Sequence, residues 1–458
     1  MGRKSRTPLT ERDVKGLKYL RAFGEVLERL GDLPAHGNRR FRFDHYVGLL
    51  LVSFFNPVLG SLRALQQATG LQNVQEVVGV KKTSLGAMSE AASGVFDPAA
   101  LVPIIEELTK QAGALPHDGR LADLPGDLLA SDGSFLRCLP RMTWALFRHK
   151  SSHRAVKLHM IYDVLRGIPA DLEITDSHAS EKKVLGKHLQ PGKLYVVERG
   201  YIDYSLFQAI DCRQAFFVAR LKDNSTYQVI QDRPLTEADL AAGVTVDQSV
   251  RMGSAFTQGD LTAPVRRVVI RDQDGHPVVL LTNTDLPAEI IALIYRHRWQ
   301  VELFFRWFKC ILGCTHWLSE SRQGLTTQVY VAIIASILIR LWFGRKPTRR
   351  TFEMICLYFQ GWANAERACE DVTRTVLAEA PPPAFPDAFV IETSTIATVK
   401  GGAELADIVA FMHAQGFVVA DIVGMKRRPL DGATAQFDLL FVPDASALRA
   451  DRRWAAQA

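Results

Sequence analysis

Apolar positions recur with helical spacing from about residue 11 to residue 111. The run at 49–55 predicts a buried core helix, which ends at Asn56-Pro57 because proline cannot continue a helix. Two interpretations of this region stay open. It is either a small helical DNA-binding domain or a plain helical bundle.

After residue 127 the spacing of apolar positions changes from that of helices to that of short strands. Three strand candidates come first, and helix and strand candidates then alternate, which predicts a mixed α/β sheet. The segments are 128–138, 157–165 and 170–175 as strands, then helix 180–189, strand 194–197, helix 204–211 and strand 215–221.

Residues 223–287 predict an inserted β-rich module, since polar and apolar positions alternate around the turn signal Asp274-Gly275. Helical spacing returns as one long helix at about 288–312 and continues in further helices to about 377. The Pro-rich segment 380–386 predicts a hinge. The tail beyond it contains strand candidates at 389–392, 417–422 and 437–442 and a helix candidate at 403–413.

These patterns divide the chain into three predicted parts. They are a helical N-terminal domain at 1–120, a mixed α/β domain at 125–377 that contains the insertion, and a small α/β tail at 380–458. The balance of 47% hydrophobic and 23% charged residues indicates globular domains and excludes a disordered chain.

The formal net charge of +6 is modest, but its distribution is informative. Residues 1–44 are rich in Arg and Lys, and residues 137–157 contain no acidic residue. A solvated helix face explains either run alone. Because the two runs flank a carboxylate motif, they favour contact with a phosphate backbone.

The remaining composition argues against secretion, zinc binding and membrane insertion. The six cysteines are scattered, as expected for a reducing cytoplasm, and no signal peptide opens the chain. Cys310, Cys314 and His316 lack the spacing of a zinc knuckle, so we interpret them as packing residues. The apolar run 329–339 is too short to span a bilayer and predicts a buried helix.

The sharpest chemical signal lies on the predicted helix at 288–312. Tyr295, Arg298, Glu302 and Lys309 are spaced so that all four fall within an arc of about 60° on one helical face. The alternative interpretation is a salt-bridged helix surface, with Glu302 bonded to Arg298 and Arg306.

Two further carboxylates accompany Glu302. Asp132 lies in the first predicted strand, and Glu198 follows the fourth. A carboxylate on a strand, one at the end of a neighbouring strand and one on a later helix can converge on a pair of divalent ions, most plausibly Mg²⁺ or Mn²⁺. Such a pair, about 3.5–4 Å apart, supports in-line phosphoryl transfer.

Three segments resemble the motifs of the DDE transposases of the insertion sequence 4 (IS-4) family. Residues 295–309 resemble its YREK signature, residues 131–134 (Ser-Asp-Gly-Ser) its first-aspartate motif, and residues 198–203 (Glu-Arg-Gly-Tyr-Ile-Asp) its second, normally DRGY. The resemblance covers about residues 44–377. It implies a ribonuclease-H-like fold, with Asp132 and Glu302 as metal ligands.

The same resemblance implies the partners. Tyr295, Arg298 and Lys309 would contact the terminal inverted repeats of a transposon, and a homodimer would assemble on that DNA and on target DNA. One position departs from the family, which has Asp where this chain has Glu198. The extra methylene lengthens the arm of a ligand whose geometry must be tight, so we expect metal binding to survive and the reaction to slow.

The tail resembles the end of an FkbM-type methyltransferase, which uses S-adenosylmethionine. The stretch 408–417, followed by Asp421-Ile-Val-Gly424 and residues 428–432, carries this resemblance. No Gly-rich cofactor loop after a first strand precedes it. We therefore expect no cofactor binding and interpret the chain as a chimera.

Four functions compete on this sequence. The first is an active transposase that cleaves and joins insertion-sequence ends, and the second is a decayed transposase that binds DNA without cutting it. A methyltransferase is disfavoured by the missing cofactor loop. A host nuclease of the ribonuclease H type is disfavoured by the YREK spacing, which supplies a face for binding transposon ends.

Overall fold

The computed structural model describes residues 9–11, 14, 17, 23–32, 39–148, 151–253, 261, 263–272, 274–313, 317–359, 389–394, 405–414, 417–427 and 434–443. The chain divides into two units, Met1–Val372 and Thr373–Ala458. The predicted hinge at 380–386 and the helical pattern at 360–377 lie outside the described residues.

The first part of the larger unit is helical, as its spacing predicted. Helix α2 is apolar on all sides and is buried along nearly its whole length, so it forms the centre of this region. The helices are α1 Gly24–Gly31, α2 Phe43–Phe55, α3 Leu62–Ala68, α4 Gln72–Val78, α5 Leu85–Glu90 and α6 Val102–Gln111.

A nine-stranded mixed sheet follows, in the order β3-β2-β1-β4-β5-β9-β8-β7-β6. Strands β1, β2 and β3 are antiparallel neighbours, while β4 lies parallel to both β1 and β5. The mixed α/β class predicted from the sequence is therefore confirmed. The first five strands are β1 Leu128–Arg137, β2 Ala155–Asp163, β3 Ile168–Asp176, β4 Leu194–Val197 and β5 Phe216–Arg220, with helices α7 Glu181–Lys187 and α8 Tyr204–Cys212 between them.

The predicted insertion extends this same sheet. Strand β9 pairs with β5, so residues of the insertion continue the ladder outward to an edge at β6. Its elements are β6 Tyr227–Asp232, α9 Glu237–Ala241, β7 Val244–Met252, β8 Val265–Arg271 and β9 Pro277–Thr282.

The helix expected at 288–312 is interrupted. Helix α10 spans Ala288–His297 and α11 spans Trp299–Leu312, with Arg298 between them. At this joint the Arg298 amide donates to the Tyr295 carbonyl and the Val301 amide donates to the Arg298 carbonyl. These shorter i to i+3 bonds tighten the backbone relative to an α-helix, so Tyr295 and Glu302 lie on separate helices.

Helix α12, Arg322–Phe343, is long and apolar enough to cross a membrane by length and composition. However, 78% of its most apolar window is buried within the protein. It packs against α2, α6, α11 and β3. These contacts confirm the buried helix expected at 329–339, and they place α12 in one hydrophobic core that runs from Val14 to Ile355. Helix α13, Arg349–Phe359, follows it.

In its described residues, the smaller unit contains an antiparallel sheet in the order β10-β12-β11 and a helix. Met412, Phe417, Leu439 and Phe441 are buried in a separate small core. The elements are β10 Phe389–Ser394, α14 Leu405–Ala414, β11 Phe417–Arg427 and β12 Thr434–Pro443. The methyltransferase resemblance of this unit stays a prediction.

The start of α12 depends on Gly324. A Cβ at this position would lie 1.9 Å from the Ala92 carbonyl oxygen and 2.3 Å from Ser319 Oγ. We expect Gly324→Ala to lower the free energy of unfolding by about 1–3 kcal/mol, because backbone must move to relieve the overlap. Urea unfolding measures this change. Gly113→Ala, whose Cβ meets nothing within 4 Å, is the matched control, and equal effects of the two variants would contradict the packing argument.

Candidate active site

Asp132 and Glu198 occupy the point where two parallel strands separate. Strand β1 pairs with β4 only from Leu128 to Ala130, and β4 ends at Val197, directly before Glu198. Asp132 lies two residues beyond the last pair on β1, opposite Met160 of β2. Since side chains alternate along a strand, Asp132 shares the face of Ala130, which is buried in the same core as α11.

The Asp132 carboxylate is in an environment that disfavours its charge. Burial is the main cause, and it raises the pKa of Asp132 to about 6. A hydrogen bond from the Gly133 amide, at 2.8 Å, opposes this shift. The nearby charges of Glu181 and Glu302 raise the pKa further, while Arg298 lowers it. Asp132 therefore lies within electrostatic reach of both the helix carboxylate and the helix cation.

Glu198 is held by several donors. Its Oε1 accepts a hydrogen bond from the Tyr295 hydroxyl at 2.5 Å and lies 3.2 Å from Arg298 Nε. Its Oε2 accepts from the Arg199 amide at 3.1 Å, and Arg220 lies 3.9 Å from Oε1. Burial would raise the pKa of Glu198, but the Tyr295 hydrogen bond and the Arg298 charge bring it below the usual value.

Arg298 joins this carboxylate to the helix carboxylate. Its Nη1 donates to Glu302 Oε1 at 2.8 Å, one turn along the chain, while its Nε faces Glu198. The Arg298 side chain is buried, and the two acids raise its pKa against the opposing effect of burial. One cation thus neutralises two acids that come from different elements of the fold.

The structure therefore gathers five of the six predicted site residues. Arg298 contacts Glu198 and Glu302, and Tyr295 contacts Glu198. The charges of Arg298 and Glu302 shift the pKa of Asp132. Lys309 lies two turns further along α11 and is partly buried. Part of the alternative salt-bridge interpretation also holds, because Glu302 pairs with Arg298. Arg306, however, lies over the Trp299 ring, 5.2 Å from its centroid.

The three carboxylates do not form a compact set of metal ligands in the described part of the chain. Within the described part of the chain, they do not form a group whose ligand atoms all lie within 4.8 Å of one another. Asp272, Asp274 and His276 do meet that distance, on an exposed turn between β8 and β9. Asp272 there accepts hydrogen bonds from the Asp274 and His276 amides, which accounts for its position. Of the predicted packing residues, Cys314 and His316 lie outside the described residues.

Glu181, in the first turn of α7, is a neighbour of Asp132 that was not predicted from the sequence. Its Oε1 lies 2.7 Å from Lys157 Nζ, and a Cβ on Gly133 would lie only 2.6 Å from that oxygen. Gly133 therefore leaves room for Glu181 beside the residue that follows Asp132. An acidic residue in the first turn of a helix is common, so nothing in the local sequence distinguishes Glu181.

Comparison with known proteins gives a match over the part of the chain that carries these residues. Residues 123–338 match the family model described as "Transposase DDE domain". This span includes Asp132, Glu198 and Glu302. This part of the chain is therefore similar to DDE transposase domains.

The chain is also similar to individual transposases. A putative transposase, y4zB, of Sinorhizobium fredii is 35% identical over 195 residues, covering 41% of this chain and 53% of the relative. A probable transposase for the insertion sequence element IS5377 of Geobacillus stearothermophilus is 28% identical over 213 residues, covering 46% and 55%. The chain thus spans about half the length of these relatives.

A solved structure, the cryo-EM structure of the piggyBac transposase synaptic complex with hairpin DNA, also matches. It has a TM-score of 0.38 and 11% identity, and the match covers 81% of this chain and 87% of that one. The predicted resemblance to DDE transposases is confirmed at the level of the domain and its IS-type relatives. The YREK signature stays a prediction.

Loss of the Asp132 charge should stabilise the metal-free protein at neutral pH. The pKa of Asp132 is about 6 in the folded chain, above the ordinary 3.8, so the folded state binds this proton more tightly than the unfolded state. The ionised carboxylate therefore costs stability above that pH, and the cost vanishes as the pH falls through the ordinary value. We expect Asp132→Asn to unfold at higher urea than wild type at about pH 7.5 with chelator present, and at equal urea near pH 4.

The control for this experiment is Asp285→Asn, since the Asp285 side chain is 90% exposed. It should change stability little at either pH. A lower stability of Asp132→Asn than of wild type at neutral pH would contradict the assignment of a strained, buried charge.

Proposed function

We propose that the chain is a DNA transposase that cleaves insertion-sequence ends and joins them to target DNA by metal-dependent phosphoryl transfer. The observation that carries this proposal is the link from Arg298 to Glu198 and Glu302, with Asp132 in electrostatic reach, inside the part of the chain that is similar to DDE transposase domains. The order β3-β2-β1-β4-β5, with three antiparallel strands followed by two parallel ones, supports a ribonuclease-H-like core.

The donor set fits a hard divalent cation. Asp132, Glu198 and Glu302 offer only carboxylate oxygens, which Mg²⁺ and Mn²⁺ prefer. Bound there, the ions would activate a water or a 3′-hydroxyl and stabilise the leaving oxygen. Without them, Arg298 is the counterion of Glu198 and Glu302, and it must give up part of this pairing for either acid to act as a ligand.

The residues around the carboxylates suit contact with DNA. An arginine released from Glu302 presents a planar guanidinium that binds a phosphate through two hydrogen bonds. The Tyr295 hydroxyl donates a hydrogen bond to the Glu198 carboxylate. Burial and this hydrogen bond raise the pKa of Tyr295 to about 12, so the phenol stays protonated as a donor. We propose that Arg298, Tyr295 and Lys309 contact terminal inverted repeats, with a homodimer bridging two ends.

A second candidate function is a catalytically impaired transposase that binds DNA without cutting it. The contacts of Glu198 favour it, because Tyr295, Arg298, Arg199 and Arg220 already surround this longer carboxylate. A ligand restrained in this way reaches a metal ion only by leaving its present partners. Cleavage of a cognate end separates the two functions.

The remaining parts of the chain have supporting roles in this proposal. The helices at 1–120 would bind DNA, and the tail at 380–458 would be a methyltransferase-like fragment without catalytic function. The helical part shares its core with the catalytic sheet, so DNA bound by either is held in a fixed relation to Asp132.

Substitution of Glu198 tests the metal-ligand role. Glu198→Asp should raise cleavage of a cognate end, since it restores the shorter arm found in the resembling family, and Glu198→Ala should abolish cleavage. The reason is geometric, because ligands of Mg²⁺ must lie at about 2.0–2.1 Å in near-octahedral positions. We expect Mn²⁺ to support more cleavage than Mg²⁺ in the wild type.

The assay uses the full chain, a duplex that carries the element's own terminal repeat, and both metals. Glu173→Asp serves as a matched control, since Glu173 pairs with Lys187 and His188 and takes no part in the proposed site. Equal cleavage by wild type, Glu198→Asp and Glu198→Ala would show that Glu198 is not a ligand.

A further inference from the structure

A basic groove opens in the helical part of the larger unit, apart from the carboxylate site. It encloses about 410 Å³ between the segment that precedes α2 and the segment that joins α4 to α5. Among its lining residues are four cations and one carboxylate, Glu90. The residues that define the basic groove here are Arg39, Arg40, Lys81, Lys82, Thr83 and Ser84.

The cations of the basic groove are exposed and, within the described part of the chain, form no ion pair with a carboxylate. Arg39 instead lies over the Phe96 ring, 5.5 Å from its centroid, and Phe96 is stacked on Phe43 of α2. One wall therefore presents a guanidinium on a rigid aromatic base. Four cations line the groove with a single carboxylate, so the excess of positive charge favours an anionic ligand.

The opposite wall is fixed to its surroundings by the backbone. The Thr83 amide donates to Thr69 Oγ1 at 3.0 Å, and Gln66 Nε2 donates to the Thr83 carbonyl at 2.9 Å. The backbone of Phe96 is fixed as well, because Gln323 of α12 donates to the Phe96 carbonyl at 3.1 Å. Lys81 and Lys82 therefore project from a preorganised segment, and little conformational entropy is lost when their backbone binds a ligand.

The chemistry of the walls fits the phosphate backbone of duplex DNA. Arginine binds phosphate through paired hydrogen bonds and lysine through a compact charge. The Ser84 hydroxyl, whose oxygen accepts the Ala87 amide, can donate one further hydrogen bond, whereas the Thr83 hydroxyl already donates to the Lys81 carbonyl. Four exposed cations that line one groove suit a ligand that carries several phosphates.

We infer that the basic groove binds the sugar-phosphate backbone of duplex DNA, independently of base sequence, and so positions transposon DNA relative to the carboxylate site. This inference rests on the proposed function for the source of the DNA. The contacts are electrostatic, so they contribute mainly to affinity and to its salt dependence.

The test measures binding of the full chain to a duplex of arbitrary sequence by fluorescence anisotropy, without divalent metal, over a series of KCl concentrations. In the variant Arg39→Ala, Arg40→Ala, Lys81→Ala, Lys82→Ala, the slope of log affinity against log salt should become shallower. The change should be about 0.9 for each phosphate that the protein no longer neutralises, or about 3 to 4 for all four. Glu90→Gln should strengthen binding, because it removes the one negative charge among the lining residues.

The matched control removes four exposed cations elsewhere, Lys110, Arg213, Arg251 and Arg271, and should leave the slope near that of the wild type. Thermal unfolding of all variants checks that the fold is kept. An unchanged slope in the groove variant, or equal competition by poly-glutamate and DNA at the same charge concentration, overturns the inference. The second result would indicate an acidic protein as the ligand.

Failure of the inference and failure of the proposed function give different results. If wild type cleaves a cognate end while the groove variant binds DNA like wild type, only the groove inference fails. If the groove variant loses binding but wild type cleaves no end with Mg²⁺ or Mn²⁺, the groove inference stands and the proposed catalysis fails.

Discussion

The buried guanidinium of Arg298 is the constraint on which the candidate site depends. It lies at the joint between α10 and α11 and pairs with Glu198 from the sheet and with Glu302 from the helix. A charge buried to this degree is stable only while its partners remain, and the loss of one partner leaves an uncompensated charge. The pairing therefore fixes the position of α11 relative to the end of β4.

The same pairing explains how the site accommodates three carboxylates when no metal ion is bound. Asp132 has a raised pKa and is partly neutralised by its proton, while Glu198 and Glu302 share one arginine. Catalytic sites commonly carry such unfavourable charge, which the surrounding fold offsets. Here the surrounding fold includes the buried helices α2 and α12, whose apolar residues belong to the core beneath β1.

The main strands and helices were predictable from the sequence, because each depends on the spacing of apolar residues within its own segment. Strands β1 to β5 followed from apolar runs and turn signals, and the burial of α12 followed from its composition. The break at Arg298 was not predictable from the spacing of apolar residues alone, because it coincides with the contact of Arg298 with Glu198, which is distant in sequence. Pairing of the insertion with β5 and the position of Glu181 beside Gly133 also depend on contacts distant in sequence.

A divalent cation that binds at the proposed site would compete with Arg298 for Glu198 and Glu302. Titration calorimetry of Mn²⁺ into the wild type and into Arg298→Met, without DNA, tests this claim most directly. Methionine keeps much of the apolar bulk of the arginine stem and removes its charge. The account predicts tighter Mn²⁺ binding by Arg298→Met than by wild type, provided that both proteins show the same folded circular dichroism spectrum. Equal or weaker binding by the folded variant would contradict the account.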